Sequence, residues 1–215
     1  LFCIETHTHT SEHSACSIMT AADLIRRAVE IGLDGLIVSD HHYAWPEADL
    51  REIARSVGAE RLLVLATQEI TARDEETGEH QGDYLLYGYN EPLPQPMSAE
   101  QVVEAGRAHG ALVIVAHPFR HGMGAGDRVF DLPVDGIEVY NQNHSPEDVR
   151  RCSRAVAECG FLGIAGSDAH RVEQVGQFLT CLERPIASME EFIGELRARR
   201  FTLKSTRPDM PISAG

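Results

Sequence analysis

The chain has 215 residues, 43% of them apolar, with 19 basic against 33 acidic side chains and a formal net charge of −14. That length suits one sizeable α/β domain and is short for two. The acidic balance disfavours a broad electrostatic grip on nucleic acid, and no apolar run is long enough to span a membrane.

Leu1 to Ile4 is an apolar run that predicts a short buried strand, and it leads into Glu5-Thr6-His7-Thr8-His9. Alternate side chains of a strand share a face. His7 and His9 therefore stand side by side at the strand's end, which is half of a metal site. His13 follows in polar sequence, from which it can fold back toward a neighbouring ion. Thr20 caps a predicted helix with Asp23 in its first turn. Leu24, Ile25, Ala28 and Val29 form its apolar stripe, and Gly32 ends it. Gly35 to Val38 reads as a strand running into Ser39-Asp40-His41-His42.

A helix is expected over 47–57 and a strand over 62–66, the latter ending at Thr67-Gln68-Glu69. Residues 72–83 read as a polar loop, and a strand begins at Tyr84. Ser98 and Gln101 form a capping box for the next helix. The strand Ala111 to Ala116 ends in His117-Pro118, and Val134 to Tyr140 carries Glu138 near its end. Ser145-Pro146 opens a helix with Pro at its first position, and Gly160 stops it. Phe161 to Ala165 is a strand that runs out into Gly166-Ser167-Asp168-Ala169-His170. A strand near 178–182 follows, and Ser188 to Glu191 is a further capping box opening the last helix.

Five cysteines, an odd number with no Cys-x-x-Cys, predict free thiols in a reducing compartment. The first residues show no basic stretch leading into an apolar signal core. A cytoplasmic location is expected.

His7/His9, His41, Glu69, His117, Glu138 and Asp168/His170 each fall where a predicted strand ends. In a β/α barrel those ends meet on one face, where active sites are built. Histidines with carboxylates and no thiolate suit Zn²⁺, Mn²⁺ or Fe rather than purely oxygen-bound Mg²⁺ or Ca²⁺. The candidates exceed what one ion can use, so a cluster of divalent ions is expected, with Glu69 as the carboxylate able to bridge. Clustered metals activate a shared hydroxide and clamp both oxygens in displacement at phosphorus.

His7-Thr8-His9, Asp40-His41, Glu69, His117-Pro118 and Asp168-Ala169-His170, in this order and spacing, resemble the polymerase and histidinol phosphatase (PHP) family. The resemblance runs from near Leu1 to about residue 205. It implies a distorted (β/α)7 barrel, TIM-like, with up to three metals at the C-terminal ends of the strands, and phosphoester hydrolysis. It also implies a single domain over 1–215, and no insertion is large enough for a cap. By resemblance, one metal takes His7, His9, Glu69 and Asp168. A second shares Glu69 and adds His117, and a third takes His13, His41 and His170. Two positions depart from the family pattern. Glu5 stands where Asp is usual, a change read as strand support. Asp83 stands where a His often precedes the strand, and it is read as an oxygen ligand, with His80 as the fallback.

A phosphoester needs a cation beside the metals, and Arg offers a planar fork for phosphate oxygens. Arg120 is the first candidate, as catalytic and substrate-binding residue, with His121 and Arg171 at the same rim. His42 is a candidate proton donor to the leaving group. The expected substrate is a small phosphorylated metabolite or nucleotide, as monoester or diester. Two other readings stand beside this one. One is an amidohydrolase-type metal hydrolase, which often bridges its metals with a carboxylated lysine; here the one lysine, Lys204, lies far past the motifs. The other is a non-catalytic metal-binding module.

Overall fold

The computed structural model describes residues 1–210 and 212. In chain order its elements are β1 (Phe2–Thr8), α1 (Ala21–Glu30), β2 (Gly35–Val38), α2 (Glu47–Ser56), β3 (Leu63–Ala66), β4 (Glu69–Arg73) and β5 (His80–Tyr87). There follow α3 (Ala99–Ala108), β6 (Leu112–Ala116), β7 (Gly136–Tyr140), α4 (Pro146–Cys159), β8 (Leu162–Ala165), β9 (Phe178–Leu182), α5 (Met189–Arg197) and β10 (Phe201–Ser205).

Helix starts follow local chemistry. Thr20, Ser98, Ser145 and Ser188 each accept a hydrogen bond from the backbone N–H three residues on. At Ser98 and Ser145 the box is reciprocal. At Ser188 it is not: the Glu191 carboxylate accepts from Ala187 N–H instead, at 2.7 Å, which corrects the expected second box.

The strands form two five-stranded sheets, ordered β10-β9-β1-β2-β3 and β4-β5-β6-β7-β8. β1-β2-β3 and β6-β7-β8 are parallel runs, whereas β4-β5-β6 and β1-β9-β10 pair antiparallel. The sheets touch at two isolated parallel bridges, Thr8 with Ala169 and His41 with Glu69. Inward residues of both sheets, among them Ile4, Ile37, Leu65, Leu85, Ile114 and Ile164, pack in one buried cluster with Phe192 of α5. α1 and α2 cover β1–β3 with Leu24, Ile25 and Leu50 against Leu36 and Val64. Burial of such side chains contributes about 1.5–3 kcal/mol each.

Two expectations change. Glu69 does not end the third strand; the chain turns at Thr67-Gln68 and Glu69 opens the separate strand β4. β5 starts at His80, so the expected loop over 72–83 shrinks to 74–79. Ile70 and Ala72 pack toward α3 on the face away from Glu69, and β4 pairs antiparallel with β5, which carries the hairpin out of a simple β/α alternation.

The expectation of five free thiols is also corrected. Cys3 of β1 and Cys181 of β9 face each other across an antiparallel pair and are joined in a disulfide. Cys16, Cys152 and Cys159 remain free. The thiol grounds for a reducing compartment therefore fall away. No described helix is long and apolar enough to cross a membrane.

Candidate metal centre

β1 delivers His7 and, one residue past its end, His9; both are fully buried. Gly166 is what lets this strand sit close to its neighbour. A Cβ there would lie 2.7 Å from His7 Cβ and 2.8 Å from Glu138 Oε1. Glu138 of β7 accepts from His7 Nδ1–H at 2.8 Å. Its other oxygen accepts from His117 N–H and from Asn141. A carboxylate only accepts, so Nδ1 carries the proton and Nε2 is left to face inward.

His9 is fixed the same way through a longer chain. Ser14 Oγ donates to Asp40 Oδ1 at 2.6 Å, so it accepts from His9 Nδ1 at 3.3 Å and from His41 N–H at 3.0 Å. Asp40 also receives Thr10 N–H and Trp45 Nε1–H at 2.6 and 2.7 Å, which pins the whole turn.

The inward atoms converge. His7 Nε2 and His9 Nε2 are 3.0 Å apart. Glu69 Oε2 lies 3.4 and 3.2 Å from them, and Asp168 Oδ1 lies 3.5 and 3.1 Å from them. Four donors held about 2.0–2.1 Å from one tetrahedral ion stand about 3.3 Å apart, so the spacing fits a bound cation. Two imidazole nitrogens this close either set lone pair against lone pair or hold positive charge between them. The neighbouring carboxylates settle which.

Glu69 faces both ways. Oε1 is 3.4 Å from His117 Nε2 and makes no hydrogen bond. Asp83 Oδ2 lies 4.0 Å from the same nitrogen, and Asp83 Oδ1 is likewise buried and unpaired. Glu69, Asp83 and His117 thus form one group able to hold an ion, and His7, His9 and Glu69 another. His9, His41 and His170 form the third, with the His41 and His170 rings each near-parallel to the His9 ring at centroid distances of 4.6 and 4.5 Å.

His13 is not part of any group. The Ser11–His13 turn points outward because Glu12 accepts from Ala21 N–H at the start of α1. The His13 ring is exposed and stacks on Tyr43 at 3.6 Å. The expected third triad is corrected accordingly: His9 stands where His13 was placed. His80 sits behind Asp83, its Nε2 3.3 Å from Asp83 Oδ2, as a neighbour rather than a member of a group. Glu5 turns away from the cluster. It is buried and accepts from Ser167 and Gly176 N–H at 2.8 and 2.9 Å, and burial pushes its carboxyl up to about 7.

The electrostatics match. Burial alone depresses the His9 imidazole, but hydrogen bonds that its ring donates to Asp168 and Glu69 override it and raise it to about 9. His7 is raised well above the usual value by Glu138, Glu69 and Asp168 against the same burial cost. The histidines in turn outweigh burial at Glu69 and Asp168 and hold both carboxyls far below the usual range. The cluster demands positive charge. Three of the four non-glycine residues with left-handed φ among those described are His42, His117 and Asp168, at or beside the site; such strain gathers at functional positions.

A cavity of about 320 Å³ opens over the cluster and is lined by Arg120, Met123, Gln142, Asn143 and Gln174 beside the ligating groups. Arg120 Nη1 is 3.8 Å from Asp168 Oδ2. His42, His121 and Arg171 are exposed and do not line it, so the roles expected of them find no contact. Missed by the sequence reading were Glu138 as the His7 partner, Ser14 as the His9 partner, and the three amides. Glu138 alone had a signal, its place near a strand end. A cavity of about 440 Å³ lies at the other ends of the strands, between Phe2, Leu63 and Ile186, away from the ligating groups.

Residues 146–201, from α4 through Asp168 and His170 into β10, match the family model described as PHP-associated. An uncharacterised protein of Methanocaldococcus jannaschii is 29% identical over 129 residues, 60% of this chain and 70% of that one. A protein of Shewanella piezotolerans named "Probable phosphatase" is 24% identical over 85% of this chain and 83% of its own. Among solved structures, a candidate metal-dependent phosphoesterase from Bifidobacterium adolescentis shares the fold with a TM-score of 0.62 at 19% identity, over 90% of this chain and 95% of that one. An amidohydrolase from Chromobacterium violaceum with bound sulfate and no metal does so with a TM-score of 0.63 at 17% identity, over 95% and 98%. The resemblance carried by the motifs is therefore matched over residues 146–201 by the PHP-associated model, and most of the chain is similar to a protein named as a probable phosphatase.

Proposed function

We propose that the chain is a metal-dependent phosphoesterase that hydrolyses a phosphomonoester or phosphodiester of a small metabolite or nucleotide. In this reading residues 1–215 are one domain, and the two sheets are halves of a distorted (β/α)7 barrel with the site at its strand ends. The observation that carries it is the convergence of His7, His9, Glu69 and Asp168 at 3.0–3.5 Å, with the second Glu69 oxygen turned to His117. His7, His9, Glu69 and Asp168 would hold one ion, Glu69, Asp83 and His117 a second, and His9, His41 and His170 would flank a third position. Bound Zn²⁺, Mn²⁺ or Fe²⁺ would supply a water acidic enough to attack phosphorus near neutral pH and would neutralise phosphoryl charge.

The chain's own residues do the rest. Glu138 and Ser14 hold the two imidazoles of β1 in one tautomer. Arg120, a third exposed at the cavity wall, orients the phosphate and stabilises charge on its equatorial oxygens. Lys204 lies on β10 paired with Leu179 and faces solvent. It cannot bridge the cluster, which favours phosphoester chemistry over a lysine-bridged amidohydrolase.

The test is hydrolysis after chelation and after metal return. Chelated protein should be inactive, and Mn²⁺, Fe²⁺ or Zn²⁺ should restore turnover. In labelled water one solvent oxygen should enter the phosphate. Cys16→Ser should remain active. Hydrolysis by metal-free protein, or a phosphoryl adduct trapped on Cys16, would sink the reading.

A further inference from the structure

Three carboxamides stand on the cavity wall, and the chemistry of their partners fixes which way each one faces. Gln142 Nε2 donates to the Asp168 carbonyl, and Asn143 Nδ2 donates to Asp168 Oδ2 at 2.6 Å. Both acceptors are oxygens without a proton, so the amide end that meets them must be the amino group. Gln174 is reversed: its Oε1 accepts from His170 N–H at 2.8 Å. The ends left over are two carbonyl oxygens, on Gln142 and Asn143, and one amino group, on Gln174. None of the three makes a further side-chain hydrogen bond among the described residues.

The remaining wall narrows the ligand. Arg120 is the one arginine or lysine on it, and no Phe, Tyr or Trp lines it among the described residues. A single cation suits a single phosphoryl group. Two fixed carbonyl oxygens repel a second anionic group and accept from hydroxyls. The Gln174 amino group donates to a hydroxyl oxygen. A nucleobase would find no Phe, Tyr or Trp ring to stack on among the described residues, and the histidine rings of the wall are turned to the cluster.

We propose that this site takes the monophosphate of a polyol, such as a sugar monophosphate, and that Gln174 is a specificity-determining residue for its hydroxyls. The inference rests on the phosphoesterase reading above and narrows it.

The test uses the full chain loaded with Mn²⁺, wild type and Gln174→Glu. Glutamate keeps an oxygen for His170 N–H and replaces the free amino group with a charged oxygen; the effect of that charge on the phosphoryl group is read on p-nitrophenyl phosphate. kcat/KM is measured on a hexose monophosphate, the matching hexose bisphosphate, a nucleoside 5′-monophosphate and p-nitrophenyl phosphate, with bound manganese measured in parallel. The hexose monophosphate should be the best of the three biological esters. Gln174→Glu should retain its manganese and lose roughly tenfold on that ester, the scale of one hydrogen bond to substrate. It should lose distinctly less on p-nitrophenyl phosphate, whose leaving group carries no hydroxyl. Preference for the nucleotide or the bisphosphate overturns the proposal and leaves the phosphoesterase standing. So does an equal loss on both esters. Failure of the manganese-filled protein to hydrolyse any of the four overturns both.

Discussion

Glu69 turns one oxygen to His7 and His9 and the other to His117, so its charge is shared between two ligating groups. Glu69→Gln preserves shape and removes that charge. It should lose at least one metal per chain and most activity; full metal content with near-normal turnover would remove Glu69 from the bridge. Arg120 touches the cluster only at its edge. Arg120→Ala should therefore keep its metal and lose roughly 10²-fold in kcat/KM, the scale of one transition-state charge contact. Unchanged kinetics would make Arg120 a surface residue. His9 gives a pH signature with two opposite slopes. Its pKa is raised from 6.5 to about 9 in the metal-free fold. That proton stabilises the metal-free protein fully below 6.5, and the contribution is lost as pH rises through about 9. A cation must displace the same proton, so metal affinity should rise over that window. Thermal melts from pH 6.5 to 9 should show Tm falling without metal while the metal-induced gain in Tm grows; parallel slopes would contradict the assignment.

At the scale of elements, the loop between β1 and α1 decides how the site is held. Ser14 connects His9 and His41 to Asp40, so Ser14→Ala should weaken metal affinity roughly 10–100-fold, as loss of a ligand's hydrogen-bond partner does. Direct metal titration checks this, and wild-type affinity would leave Ser14 a packing residue. Gly166 answers to distance rather than to φ. A methyl group there must displace His7 or Glu138, so Gly166→Ala should cost about 1–3 kcal/mol and lower metal content with it. These elements also show why legibility was uneven. Capped helices were plain because a Ser or Thr with its partner three residues on is local chemistry, and Thr20, Ser98 and Ser145 are capped as expected. The inward pairing of His7 and His9 was plain because spacing on a strand is local too. His13 misled because sequence shows a histidine but not that Glu12 turns its loop outward. Glu138 and the Gln142 and Asn143 amides act across 131, 26 and 25 residues of chain, and only the fold brings them in; Ser14 and Gln174 reach across 5 and 4 through turns that no motif marks. β4 was hidden because five residues of mixed polarity carry little periodicity of their own.

Across the whole molecule the net charge of −14 is unevenly used. Glu69, Asp83, Asp168 and Glu138 are buried at one face, where in the proposed reading divalent ions would offset them, so part of the acidity that argued against nucleic acid would belong to the metal centre. The two bridges between the sheets, Thr8 with Ala169 and His41 with Glu69, both fall among ligating residues; the cluster is also the place where the halves of the fold meet. Metal removal should therefore loosen the molecule as a whole, and faster amide exchange at both bridges on chelation is the measurement. Loss of protection confined to one sheet would contradict it.

The bond between Cys3 and Cys181, residues 178 apart in sequence, makes almost the entire chain a covalent ring. The exposed tip of the β4–β5 hairpin, residues 75–79, is where a protease would enter. One cut there opens the ring but frees no fragment. Nicked protein should migrate as a single species without reductant and as two pieces with it. Release of either piece under oxidising conditions would mean that the ring is not closed.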